Sequence, residues 1–195
     1  GIVGIVVCLV LILDQVMKIW VKSTFAPGES MPLLGDWFQL YYIENPGMAF
    51  GLSWGGATGK IFLSLFRIAA IGGLLWYAIR LAKGGAHPFV LTTIALIFAG
   101  ALGNVIDSLL YGLLFDRGLV WSPEYEFWMA YEGVAQWGKG YSGPLLGNVV
   151  DMLYFPLWTG YLPNWLPFWG GDYYQLFRPI FNLADAYVSI GVVFW

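Results

Sequence analysis

The chain has 195 residues, 59% of them hydrophobic and 11% charged, with a formal net charge of −3. A soluble domain carries roughly 25% charged residues, and a mean hydropathy of +0.69 leaves too little polar surface to face water. These values exclude a disordered chain and a disulfide scaffold, and the scattered basic residues argue against nucleic acid as a partner.

Taken in chain order, four apolar segments approach the ~20 residues that a transmembrane helix needs. Residues 1–13 are wholly apolar and run on through Asp14-Gln15-Val16-Met17-Lys18-Ile19-Trp20-Val21. This stretch lacks the basic n-region and small-residue cleavage site of a signal peptide, so it is expected to be a first span. Residues 61–81 are interrupted only by Ser64, Arg67 and Arg80, residues 89–114 by Thr92, Thr93, Asn104, Asp107 and Ser108, and residues 180–195 by Asn182, Asp185 and Ser189. The sequence starts and stops inside apolar runs, so further residues are expected beyond both ends. The fold expected is an all-α membrane protein with four transmembrane helices in a single membrane domain, residues 1–195. The short loop around Arg80, Lys83 and His87 is basic, whereas residues 23–59 and 115–178 hold most of the acids. The positive-inside rule then places both termini in the cytoplasm and those two segments outside.

The first outer segment, 23–59, is expected to be β-rich. Trp37-Phe38-Gln39-Leu40-Tyr41-Tyr42-Ile43 is aromatic and β-branched, and Pro27-Gly28, Pro32 and Gly35 punctuate it. The second, 115–178, carries much Gly, Pro and Trp, and reads as an outer insert on the membrane surface with its aromatic rings at headgroup level.

An ionisable residue inside a span is costly and marks function by default. Asp14 and Lys18 are i and i+4 near the outer end of the first span, a spacing that permits an ion pair. Asn104 and Asp107 lie near the outer end of the third. Asp185 falls roughly 8 Å into the fourth at 1.5 Å per residue, and Asp151 ends the run Gly147-Asn148-Val149-Val150-Asp151 on the same side. Four carboxylates therefore converge near the outer leaflet. They suit an acid/base pair, in which two close carboxyls share one proton. Hard-cation ligands, a proton relay in a transporter or ion pathway, and mere bracing of helices are the alternatives. The only histidine, His87, lies in the cytoplasmic loop, which removes a Ser/His/Asp triad and a His-based metal site. Lys60 and Ser64 have the spacing of a Ser-Lys dyad, but a lysine at a span end is ordinarily a snorkelling one.

Five motifs in order give the chain a resemblance to bacterial lipoprotein signal peptidase (signal peptidase II), a membrane aspartyl peptidase. Asp14-Gln15-Val16-Met17-Lys18 is similar to its Asp-x-x-x-Lys motif, and Glu44-Asn45-Pro46-Gly47-Met48-Ala49-Phe50-Gly51 to its Asn-x-Gly-x-Ala-Phe motif. Gly103-Asn104-Val105-Ile106-Asp107 is similar to Gly-Asn-x-x-Asp, and Val149-Val150-Asp151 and Phe181-Asn182-Leu183-Ala184-Asp185 to the segments that carry the two catalytic aspartates. The resemblance implies an endopeptidase that removes the signal peptide from diacylglyceryl-modified prolipoproteins in the bacterial inner membrane. Its site would lie near the outer leaflet, with Asp151 and Asp185 as the dyad and no metal or other cofactor. It further implies that Asp14, Lys18, Asn45, Gly47, Asn104, Asp107, Asn182 and Ala184 bind substrate or support the site. Membrane lipids are implied as partners, and the peptide antibiotic globomycin as an inhibitor. Two departures stand out. Ser108 occupies the place where the family usually has arginine, so a substrate-contacting arginine is either missing or supplied by Arg117 or Arg178. Asp107 and Asp151 are 44 residues apart, far more than the family's usual spacing, which would select Asp116; but Asp116 lacks the Val-Val-Asp context, and Asp116 beside Arg117 reads as a surface ion pair.

Overall fold

A computed structural model describes residues 2–47 and 56–195. Helix α1 (Ile2–Lys22) inverts the usual amphipathic logic. Its polar residues Asp14, Lys18 and Lys22 recur every fourth position and are buried, while Ile5, Leu9, Ile12, Leu13, Val16 and Trp20 are exposed. An outward apolar stripe and an inward polar one make sense only where the surrounding solvent is lipid. Strands β1 (Ser30–Leu34) and β2 (Phe38–Asn45) follow, then α2 (Gly56–Lys83), mostly exposed, and α3 (Pro88–Ile106). His87 caps α3, accepting from Phe89 N at 3.2 Å, and Pro88 opens it. At Asp107 the helix widens into a π turn (Asp107–Tyr111) before a last α turn, α4 (Gly112–Leu114). Such π turns concentrate at functional sites.

Beyond α4 come two hairpins and a strand between them: β3 (Val120–Ser122) with β4 (Phe127–Met129), β5 (Val149–Tyr154), then β6 (Trp158–Tyr161) with β7 (Tyr173–Leu176). Strand β8 (Ile180–Phe181) leads straight into helix α5 (Leu183–Val193). The main sheet is antiparallel in the order β1-β2-β5-β8, with Ile43 opposite Asp151 and Leu153 opposite Phe181. Its inner face, the end of α1 and the π turn enclose the apolar core around Val21, Leu40, Tyr42, Tyr111, Phe115 and Met152.

The expectation of an all-α protein with four transmembrane helices fails on two counts. Strands make up 20% of the chain, and among the described residues three helices are long and apolar enough to cross a membrane: Val3–Lys22, Gly56–Lys83 and Pro88–Leu114. Helix α5 has 11 residues, about 16 Å at 1.5 Å per residue, roughly half the hydrocarbon thickness. It runs antiparallel to α3 at very short range. A Cβ on Gly100 would sit 2.3 Å from Ala184 O, and one on Gly191 2.8 Å from Thr93 O. In lipid the hydrophobic effect does not drive helices together, so this contact of small residues, which lets backbones touch, holds α5 in place.

Candidate active site

The site lies where α1, α3, β5 and the start of α5 meet. Its foundation is Lys18, fully buried. Its Nζ donates to Asp14 Oδ2 at 2.9 Å, Asp107 Oδ2 at 2.8 Å and Asn104 Oδ1 at 2.8 Å. Gln15 closes the same cluster, donating to Asp107 Oδ1 at 2.9 Å and accepting from Tyr111 at 3.1 Å. Asp14 Oδ1 accepts from Ala184 N at 3.0 Å, which ties α1 to the first turn of α5. Asp107 Oδ2 lies 3.4 Å from Val150 N, which ties α3 to β5.

These partners orient the next layer. An ammonium group only donates, so Asn104 must turn its oxygen to Lys18. Its Nδ2 then faces Asp185 and donates to Oδ1 at 2.8 Å. Asn182 is oriented in the same way. It is the N-cap of α5, its Oδ1 accepts from Asp185 N at 2.9 Å, and Asp185 Oδ2 answers by accepting from Asn182 N at 3.3 Å, a complete capping box. The Nδ2 of Asn182 is thereby left to donate to Asp151 Oδ1 at 2.7 Å. Asn182 touches both aspartates, one through its side chain and the other through its cap.

The two carboxylates differ in surroundings. Asp151 sits mid-strand in β5 at 3% exposure. Burial first, and the neighbouring Asp185 charge second, push its carboxyl up to about 8. Asp185 stands at the N-terminal end of a helix, accepts at both oxygens, and borders a cavity of about 540 Å³ lined also by Asn104, Phe66, Ala70, Ile97 and Ala101. A second cleft, of about 470 Å³, opens between α5 and the strand before it, with Phe177, Phe181 and Asp185 among its walls.

All ten site residues named from the sequence have a place in or beside this arrangement. Asn45 places Nδ2 3.5 Å from Asp151 Oδ2 and accepts from Gly47 N at 2.9 Å. The rest of that motif, Met48, Ala49, Phe50 and Gly51, lies outside the described residues. Asp116 is elsewhere, in a half-exposed pair with Arg117 at 3.5 Å. Arg117 donates to Glu132 O and Arg178 is exposed, so neither reaches the cavity. The cation that does is Arg67 of α2, together with Gln15 a residue the motifs did not nominate. A signal existed: Lys60, Ser64 and Arg67 recur at helical spacing in an apolar span. Lys60 and Ser64 form no dyad. The lysine donates to Asn148 Oδ1 and the serine to Leu145 O at 3.1 Å. Among the described residues no three His, Cys, Asp or Glu side chains are grouped to hold a metal ion.

Comparison with known proteins bears on this site. The profile of the family described as signal peptidase (SPase) II matches residues 6–195. A lipoprotein signal peptidase of Porphyromonas gingivalis is 42% identical over 98% of this chain and 80% of its own length. One of Amoebophilus asiaticus is 37% identical over 94% and 71%. A solved bacterial membrane enzyme, determined by the in meso method at 1.9 Å resolution, superposes with a TM-score of 0.61, covering 100% of this chain and 89% of its own at 24% identity. At that identity the match speaks for the fold alone.

Proposed function

This chain belongs to the signal peptidase II family, and from that premise we propose that it hydrolyses the signal peptide from diacylglyceryl-modified prolipoproteins with Asp151 and Asp185 as its acid/base pair. The observation that carries the proposal is the placement of two aspartates from separate elements on one bridging residue, Asn182, with Asp185 opening onto a cavity. Two carboxyls so coupled hold one proton at neutral pH. Asp151, with its raised value, keeps that proton, and Asp185, which opens onto the cavity from the N-terminal end of α5, is assigned the role of base.

Asp185 takes a proton from a water molecule as the water oxygen bonds to the scissile carbonyl carbon. Asp151 donates a hydrogen bond to the carbonyl oxygen as negative charge develops there. The C–N bond then breaks, the leaving amine takes up a proton from the pair, and the dyad regains its single proton. Asn104 and Asn182 fix both carboxyls; Lys18, itself held by Asp14 and Asp107, fixes Asn104, and Asp14 holds the first turn of α5 through Ala184 N, as second-layer partners fix the ligands of a metal site. The reaction is aspartic-type and metal-independent.

The same reading sets the protein in the bacterial inner membrane, with the dyad near the outer leaflet and the chain ends directed to the cytoplasm. As one membrane domain, it has two outer parts, residues 23–47 and 115–178, whose exposed aromatic rings meet membrane lipids at headgroup level. Globomycin is expected to compete for the site. A transporter is disfavoured because the buried carboxylates cluster at one level and do not form a path across.

The test is cleavage of a synthetic diacylated prolipoprotein peptide by purified protein in lipid, with chelator present. Asp151→Asn and Asp185→Asn are each expected to lower kcat by at least ~10³-fold while thermal unfolding stays cooperative. Full activity in either variant, or loss of wild-type activity on chelation, overturns the mechanism.

A further inference from the structure

Arg67 lies in the first half of α2, a helix that is mostly exposed but buries Gly56, Lys60 and Ser64. A guanidinium has five N–H donors and no acceptor. Among the described residues one acceptor engages it: Gly47 O, at 2.8 Å from Nη2. Gly47 is shaped for that contact. Its φ of +95° disfavours any other residue, and a Cβ there would lie 3.0 Å from Arg67 Nη1. Arg67 also belongs to the wall of the cavity that Asp185 and Asn104 line.

The arrangement is odd for a purely structural arginine. Its charge attracts both Asp185 and Asp151, yet no ion pair forms with either among the described residues. A half-buried arginine free to choose would close on a carboxylate and gain a bidentate pair. Here a gap is kept between cation and carboxylate, and the gap is the cavity. The remaining walls are apolar except for Ser189, whose hydroxyl donates to Asp185 O at 2.8 Å, so a polypeptide segment that fits them offers hydrogen-bond acceptors chiefly through its main chain.

Resting on the peptidase reading, we propose that Arg67 is a substrate-binding residue: anchored on Gly47, its guanidinium donates to a main-chain carbonyl oxygen of the substrate across the cavity from Asp185, and so sets the scissile bond against the dyad. The site thereby gains from α2 a cation that α3, with Ser108 after Asp107, does not provide.

Two readouts test this in the full chain in lipid. The first is kcat/KM on the diacylated peptide for wild type, Arg67→Lys, Arg67→Gln and Gly47→Ala. The second is affinity for the same peptide in the cleavage-dead Asp151→Asn background, with and without Arg67→Gln. Loss of one charge-assisted hydrogen bond is expected to lower kcat/KM and dead-enzyme affinity each by about 10–100-fold. Arg67→Lys should recover only part, because an ammonium cannot span Gly47 and substrate together. Gly47→Ala, which keeps the charge but displaces it, should lose activity likewise. A peptide whose lipid is joined by ether instead of ester bonds should show the same dependence on Arg67. Dependence that vanishes with the ether lipid moves the contact to a lipid carbonyl and overturns the main-chain assignment. Unchanged peptide affinity alongside lost turnover makes Arg67 a tuner of the dyad, and unchanged turnover leaves it a structural clamp; each overturns the proposal. Wild type that cuts nothing overturns the peptidase reading itself, and Arg67's role with it.

Discussion

Lys18 and Lys22 stand one turn apart on α1, both fully buried, yet they head two different kinds of polar cluster. Lys22 pairs with Glu44, which also accepts from Tyr42 at 2.7 Å, Tyr131 at 2.9 Å, Leu119 N at 2.9 Å and Asn148 at 2.8 Å. The lysine itself is boxed by the rings of Phe115, Tyr131 and Tyr141, 5.1–5.3 Å from their centroids. That cluster is closed: every strong acceptor position on Glu44 is used, and it pins the outer insert to α1 and β2. The Lys18 cluster is closed only at its base. Its chain of hydrogen bonds passes through Asn104 and Asn182 and ends on Asp151 and on Asp185, which borders a cavity. Burial of charge alone therefore does not mark a catalytic site; an incompletely satisfied carboxylate held by saturated neighbours does.

The strongest way to sharpen this contrast is to remove each lysine. Lys18→Met strands Asp14 and Asp107 in the interior, and Lys22→Met strands Glu44. Breaking a buried ion pair from one side costs about 3–5 kcal/mol, so both variants should lose much of their stability, readable as thermal midpoint in one lipid system. They should part in activity. Lys18→Met frees Asn104 to turn, so cleavage per folded molecule should collapse. Lys22→Met should cleave normally in the fraction that remains folded. Equal losses of specific activity in the two would break the distinction.

The two clusters should also answer pH with opposite sign. Burial raises Glu44, but the Lys22 charge and hydrogen bonds from Lys22, Tyr42 and Leu119 outweigh it and leave its carboxyl below the ordinary 4.5. Its stabilisation is present above that ordinary value and is lost as pH falls through the lower folded one. Asp151 is raised from 3.8 to about 8, so the folded state holds the proton more tightly and stability declines as pH climbs between those values, by at most about 1.4 kcal/mol per unit. Asp151→Asn should flatten the decline between 3.8 and about 8 in a midpoint-versus-pH curve, and Glu44→Gln should flatten its acid side. Wild-type kcat/KM should fall tenfold per unit above about pH 8; activity flat to pH 10 would remove Asp151 as the protonated partner.

The sequence was most readable where lipid imposes a simple rule. Three long spans and the Asp14/Lys18 spacing follow from hydropathy and helical period. Helix α5 misled because its apolar composition resembles a span while its length, 11 residues, does not. Strand β5 escaped notice because it is buried on both faces from Val149 to Leu153, which erases the alternation by which strands are recognised. The residues nominated for the site came from ordered motifs, and the structure brings them together as donors and acceptors between Lys18, Asp151 and Asp185. Arg67 was legible only as the third polar position at helical spacing after Lys60 and Ser64, and nothing in that pattern says that a loop glycine 20 positions earlier receives it. Glu44 and Asn148 were hidden for the same reason: their closure depends on an insert that returns over them.

The smallest expected effect belongs to Asp116, and it separates spacing from context as guides to the dyad. Asp116 is partly exposed, pairs with Arg117 at 3.5 Å and accepts from Gln136 N at 2.7 Å. An exposed pair contributes 0–1 kcal/mol at most, and an amide in place of the carboxylate retains an oxygen for Gln136. Asp116→Asn should therefore cleave the diacylated peptide at the wild-type rate and shift the thermal midpoint only slightly. If it were as inactive as Asp151→Asn, proximity along the chain to Asp107 would outweigh the convergence of Asp151 and Asp185 on Asn182. The structure argues the other way, because β5, wedged between β2 and β8, carries Asp151 to the first turn of α5, whereas Asp116 turns outward into the insert.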